Sequence, residues 1–126
     1  RSFPKALELL KKLKASGFKT AVVTGKYHYL AAELLDKLEL LPFIDLVVGS
    51  DECSKAKPAP DSLLLALDKL KLKAQNSLYV GDHKNDIKAA SSCQMSSIAA
   101  AWGYGIYAEI LNYGRQPMLL IISMMF

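Results

Sequence analysis

Short apolar runs alternate with amphipathic, helix-like segments along most of this 126-residue chain. The runs cover residues 20–23, 44–48, 78–80, 97–101 and 118–122. Each is short enough for a strand, and polar or glycine-containing turns bound most of them. Strands that alternate with helices in this way form parallel sheets covered by helices on both faces. The sequence therefore predicts an α/β fold with a mostly parallel sheet in a three-layer arrangement, as one domain over residues 1–126.

The segments between the runs carry helix start and stop signals. Gly17 is predicted to end the first helix, and Pro42 the second. Asp61 is the predicted N-cap of the third helix. The buried face of that helix is predicted to consist of Leu63, Leu64, Leu67 and Leu70. Further helices are expected over residues 85–92 and 107–112.

Composition narrows the classes of function. A chain that is 52% hydrophobic and 22% charged can bury a core. The formal charge of +4 comes mostly from dispersed lysines, and without an arginine cluster or interleaved aromatics it does not predict a nucleic-acid partner. The apolar runs are shorter than the roughly 20 residues that span a bilayer, so no membrane partner is expected. Cys53 and Cys93 lack a short metal-binding spacing. Two cysteines do not indicate a disulfide framework, which suits a protein of the reducing cytoplasm.

Polar residues follow three of the runs, and ligands of open parallel sheets bind where strands end. The first signal is Thr24-Gly25-Lys26. A hydroxyl and loop amides that lead into a helix N-terminus can bind an anion. The alternative for this tripeptide alone is an ordinary capping threonine.

The second signal is Lys57, in the segment Lys-Pro-Ala-Pro-Asp. The prolines restrict the loop and help to aim the ammonium group, which could bind a phosphoryl group. The alternative is a surface lysine in a turn.

The third signal is Gly81-Asp82 followed by Asp86. Carboxylate oxygens of this kind suit Mg²⁺, which usually takes one or two carboxylates and keeps several waters. Asp86 could equally act indirectly, by orienting a water or Lys57. The alternative is a pair of solvated acids at the start of a helix.

In this order the three signals resemble the motifs of the haloacid dehalogenase superfamily of phosphohydrolases. Thr24 matches the second motif, Lys57 the third, and Gly-Asp-x-x-x-Asp over residues 81–86 the fourth. Residues 86–90 and 102–105 look most like the phosphoglycolate phosphatase branch. The resemblance covers nearly all of the chain and implies a Rossmann-like αβα core.

The resemblance also implies an activity, namely Mg²⁺-dependent hydrolysis of a small phosphorylated metabolite, with phosphoglycolate as the first candidate. In such enzymes an aspartate nucleophile attacks the phosphoryl group and forms an aspartyl-phosphate, which water then cleaves. By resemblance, Thr24 and Gly25 bind the phosphoryl group and Lys57 stabilises its charge. Asp82 would hold Mg²⁺ directly or through water, and Asp86 would support the ligands around the ion.

The family's first motif, Asp-x-Asp-Gly-Thr, is absent from these 126 residues. It carries the nucleophile on the central strand, between the strands that end at Thr24 and Gly81, and the substrate-selecting cap that follows it is absent too. We therefore expect a partial core that begins at Arg1, with a gap in the middle of the sheet and no activity alone. The alternative is a non-catalytic remnant that binds phosphate or a protein partner through the open groove. A receiver domain has a similar topology, but the chain lacks its early pair of acids.

Overall fold

The computed structural model describes residues 4–55, 59–81, 84–99 and 119–123. Within these ranges lie four α-helices: α1 (Pro4–Ala15), α2 (His28–Lys37), α3 (Asp61–Leu70) and α4 (Lys84–Ser92). The strands of the same ranges are β1 (Lys19–Val23), β2 (Leu46–Val48), β3 (Ser77–Gly81), β4 (Ser96–Ala99) and β5 (Leu119–Ser123). Short 3₁₀ turns cover Leu41–Phe43, Ser50–Glu52 and Ala74–Asn76. The helix predicted over residues 107–112 lies outside the described residues.

The strands form one sheet in the order β2-β1-β5-β3-β4, and every neighbouring pair is parallel. The predicted α/β class and parallel sheet are thus confirmed. Parallel neighbours place all the carboxyl ends of the strands along one edge of the sheet.

The predicted gap in the middle of the sheet is wrong. Strand β5 lies between β1 and β3 and pairs with both: Ile121 is opposite Ala21 on one side and Tyr79 on the other. Without a strand in this position, β1 and β3 would each present a row of unpaired N–H and C=O groups. Because β5 satisfies both rows, the open groove required by the partner-binding alternative is filled.

Helices cover both faces of the sheet, as predicted. Neighbouring residues of β1 belong to different core clusters, with Val22 in one and Ala21 and Val23 in the other. The first cluster joins the sheet to α1 and α2 and includes Leu10, Leu13, Leu35, Leu78 and Val80. The second joins it to α3 and α4 and includes Leu63, Ala66, Tyr79, Ala89 and Ala90. This period-2 alternation along β1, β2 and β3 is what a three-layer architecture requires.

Gly17 ends α1 as predicted. Its φ of 88° is left-handed, and the next N–H, that of Phe18, donates to the Leu13 carbonyl at 3.0 Å. Pro42 does not end α2, which stops at Lys37. Glu39, with φ 63°, turns the chain before the proline is reached.

Two predictions for α3 also need correction. Pro60 occupies the N-cap position, so Asp61 is the first helical residue rather than the cap. Leu64 is 49% exposed, because the buried face of the helix consists of Ser62, Leu63, Ala66 and Leu67.

None of the described helices has the length and apolar character needed to cross a membrane.

Candidate functional site

The carboxyl ends of β1, β5 and β3 lie side by side at one edge of the sheet. Val23 is opposite Ser123, and Val80 is opposite Ile122. Thr24 and Gly81 therefore stand at the ends of strands that are separated by β5 alone. Since neighbouring strands are about 4.8 Å apart, the two strand ends are about 10 Å apart. The structure thus brings two of the three predicted signals to the same edge.

Thr24 is held where β1 gives way to α2. Its side chain is buried, its N–H donates to the Val48 carbonyl at 3.0 Å, and its Oγ1 accepts from the Lys26 N–H at 3.2 Å. This last bond stays within the loop and does not cap α2, whose N-cap is Tyr27, so the alternative interpretation of Thr24 as a capping threonine is wrong. A hydroxyl that accepts one bond can still donate its own proton to a ligand. At Gly25 a Cβ atom would meet nothing within 4 Å, so there is open space beside this loop.

Asp86 lies in the first turn of α4 and is only 3% exposed. Its Oδ1 accepts a hydrogen bond from the Tyr79 hydroxyl at 3.0 Å. Its carboxylate also packs against Gly81, where an added Cβ would lie 2.7 Å from Oδ2. The position of this carboxylate therefore requires a glycine at the end of β3. Because Asp86 is buried, the alternative interpretation of a solvated acid is wrong.

The loop after Thr24 is joined to the turn that follows β2. The Ser50 N–H donates to the Lys26 carbonyl at 2.9 Å, and the His28 N–H donates to Asp51 Oδ1 at 2.8 Å. His28 Nδ1 lies 2.7 Å from Glu52 Oε1. These contacts hold the start of α2 against β2 and so fix the loop on which Thr24 stands.

Glu52 is the centre of this junction. Its Oε1 also accepts from the Gly49 N–H at 2.9 Å, and its Oε2 from Lys69 at 3.2 Å. Burial alone would raise its pKa, but the hydrogen bonds from Gly49, His28 and Lys69 outweigh burial and leave the pKa of Glu52 below its ordinary value. The junction therefore favours the ionised carboxylate.

Replacing Glu52 by glutamine should remove a pH-dependent part of the stability. A carboxylate with a lowered folded pKa stabilises the fold above its unfolded pKa of about 4.3, and this contribution is lost as the pH falls through the folded value. We expect Glu52→Gln to reduce the free energy of unfolding by about 1–3 kcal/mol near neutral pH. The difference from the parent chain should shrink below about pH 4. Urea unfolding followed across this range measures it.

Glu33→Gln is the matched control, because the exposed pair of Glu33 with Lys37 at 3.1 Å is of a kind that contributes about 0–1 kcal/mol. A Glu52→Gln difference that stayed constant from neutral to acid pH would contradict the assignment of this stability to the ionised carboxylate.

Two predicted site residues, Lys57 and Asp82, lie outside the described residues. Within the described ranges no three His, Cys, Asp or Glu side chains cluster as a metal site would require. The predicted Mg²⁺ ligation by Asp82 and Asp86 therefore stays a prediction, with Asp86 as its described member.

The sequence interpretation missed Tyr79 and Glu52. The signal for Tyr79 was a phenol inside an otherwise apolar strand, since a buried hydroxyl needs a partner. The signal for Glu52 was weaker, because nothing in the segment after β2 indicates that it bonds to the start of α2.

Comparison with known proteins gives a family match. The model of the haloacid dehalogenase-like hydrolase family matches residues 1–100. The chain is 32% identical over 117 residues to the phosphoglycolate phosphatase of Escherichia coli K12, and 35% identical over 117 residues to that of Salmonella typhi. Both alignments cover 93% of this chain and 46% of the relative, so the chain spans about half the length of these relatives.

A solved structure gives the same likeness in three dimensions. The crystal structure of a predicted phosphoglycolate phosphatase from Haemophilus somnus 129PT superposes with a TM-score of 0.77 at 27% identity. The superposition covers 90% of this chain and 57% of that one. The present chain therefore shares its fold with that protein over most of its own length.

Proposed function

The chain belongs to the haloacid dehalogenase-like hydrolase family, and on this premise we propose that it forms the phosphoryl- and metal-binding part of a Mg²⁺-dependent phosphomonoesterase. The substrate class is a small phosphorylated metabolite, and the likeness to phosphoglycolate phosphatases makes phosphoglycolate the first candidate. The proposal includes a cytoplasmic location and neither a nucleic-acid nor a membrane partner.

One observation carries the proposal: Thr24 and the pair of Gly81 and Asp86 stand at one edge of the sheet, separated by the single strand β5. We assign the Thr24 hydroxyl and the Gly25 amide to the phosphoryl oxygens, since both belong to a loop that enters a helix N-terminus. Lys57 would stabilise the charge of that group from the segment before α3.

Asp86 fits a role near a divalent cation. Its oxygens are hard ligands of the kind that Mg²⁺ prefers, and the carboxylate is buried and fixed by Tyr79 and Gly81. Asp82 and Asp86 would hold the ion directly or through water. When bound, Mg²⁺ would neutralise the charge that the phosphoryl oxygens share with the carboxylates.

The family's nucleophile motif does not occur in this sequence. We therefore propose that these 126 residues bind the phosphoryl group and the cation but do not turn substrate over alone. The family match favours this hydrolase interpretation over a non-catalytic remnant.

Replacing Thr24 by valine should weaken the binding of orthophosphate, measured by calorimetric titration of the 126-residue chain in the presence of Mg²⁺. Loss of a hydrogen bond to a charged group costs about 1.5–3 kcal/mol, so we expect at least about tenfold weaker binding. Thr20→Val is the matched control on the same strand. Its hydroxyl donates to the Phe43 carbonyl at 2.7 Å, near the opposite end of β1, so binding should be unchanged.

Equal phosphate affinity in Thr24→Val and Thr20→Val would contradict the proposed site. With p-nitrophenyl phosphate and Mg²⁺ we expect no turnover above background. Clear turnover by this chain that is lost in Asp82→Ala would overturn the view that the nucleophile is missing, while supporting the site.

A further inference from the structure

We propose that Tyr79 is a positioning residue for Asp86 and thereby sets the Mg²⁺ affinity of the site. The inference rests on the proposed function. Its starting point is a phenol in the middle of β3 that is completely buried and whose hydroxyl donates to Asp86 Oδ1 at 3.0 Å. Neither the sequence motifs nor the proposed roles of the motif residues include this tyrosine.

The carboxylate of Asp86 is confined from two directions. On one side Oδ1 accepts the phenol hydrogen bond. On the other side Oδ2 and the side-chain carbons pack so closely on Gly81 that an added Cβ would lie 2.7–3.0 Å from them. Rotation of the carboxylate would therefore break the bond to Tyr79 or collide with the backbone at the end of β3.

The end of β3 is also where the predicted ligand Asp82 follows in sequence. A carboxylate that is held at this point can act on a cation, or on the water between them, without first losing rotational freedom. Partners that orient metal ligands in this way typically change metal affinity by about 10–100-fold. Tyr79 acts through Asp86 and itself contacts neither substrate nor metal.

The ring and the hydroxyl of Tyr79 have separable roles. The ring packs in the core cluster beside Ala89 and Ala90 of α4, and phenylalanine would fill the same space. Only the hydroxyl reaches the carboxylate. Tyr79→Phe therefore removes the orienting bond and leaves the packing of β3 against α4 in place.

The test is the Mg²⁺ affinity of the 126-residue chain, measured by calorimetric titration beside its melting temperature. We expect Tyr79→Phe to bind Mg²⁺ at least about tenfold more weakly than the parent. Thr20→Val, which also removes a buried hydroxyl but near the opposite end of the sheet, should keep the parent's affinity even if its melting temperature falls. Asp86→Asn should weaken binding, and adding Tyr79→Phe to it should weaken binding no further.

The outcomes separate this inference from the function on which it rests. If the parent binds Mg²⁺ and Tyr79→Phe binds it equally well, the positioning role is wrong while the metal site stands. Equal losses in Tyr79→Phe and Thr20→Val would show a general effect of stability and would also overturn the positioning role. If the parent binds no Mg²⁺ at millimolar concentrations, both the metal site and the positioning role fall.

Discussion

Ile121→Pro should abolish cooperative folding of the chain. Ile121 lies at the middle of the central strand β5, opposite Ala21 of β1 and Tyr79 of β3. Proline lacks the N–H that a sheet ladder needs, and its fixed φ does not match an extended parallel strand. The missing N–H removes a bond to one neighbour, and the altered backbone disturbs the pairing of both, so we expect the loss to approach the stability of about 5–15 kcal/mol that a domain of this kind has. Thermal unfolding followed by circular dichroism measures it.

Ile121→Val is the control, because it keeps the N–H and the β-branched side chain that strands favour. This variant should melt within a few degrees of the parent, at an expected cost of about 0.5–1.5 kcal/mol. A sharp, parent-like melt of Ile121→Pro would mean that residues 119–123 are not needed to join the two halves of the sheet.

The central place of β5 is the feature that the sequence did not predict. The apolar run itself was recognisable as a strand over residues 118–122, close to the observed Leu119–Ser123. Its position was not, because strand order depends on which unpaired edges remain once the neighbouring strands have formed. The edges of β1 and β3 that face each other accept a parallel apolar strand, and β5 occupies that place.

Local features were easier to predict where backbone chemistry alone decides them. Gly17 has the positive φ that a helix end often needs. Leu64 and Pro42 were misjudged for a different reason. The leucine-rich pattern of α3 permits more than one buried face, and contact with the sheet selects Ala66 over Leu64. Glu39 adopts a left-handed conformation that is not expected of a glutamate. The helix α2 has therefore ended before the chain reaches Pro42.

The candidate site was predictable in part for the same reasons. The parallel sheet required Thr24 and Gly81 to share an edge, and the register bears out that shared edge. The bond from Tyr79 to Asp86 crosses from a strand to a helix after a turn, and no simple periodicity pairs residues seven apart in that arrangement. Spacing in the sequence identified Asp86 but not Tyr79, the residue that orients its carboxylate.

The close contact between Gly49 and the start of α2 constrains the loop that carries Thr24. A Cβ at Gly49 would collide with the backbone nitrogen of His28, lie 2.7 Å from its Cα, and lie 2.8 Å from Asp51 Oδ1. Backbone atoms cannot move aside by changing a rotamer. Any side chain at this position must therefore displace the first turn of α2 or the turn after β2.

Gly49→Ala should accordingly destabilise the chain by about 1–3 kcal/mol or more, because no small side-chain movement can remove a clash with backbone atoms. Displacement of α2 would also lengthen the bond from the His28 N–H to Asp51, so orthophosphate binding through Thr24 should weaken as well. Gly25→Ala is the matched control for stability: its Cβ meets nothing within 4 Å, and we expect a change within about 0.5 kcal/mol. Urea unfolding of both variants measures the difference. Equal stabilities would mean that the turn after β2 can retreat from α2, and that the position of Thr24 is set by β1 alone.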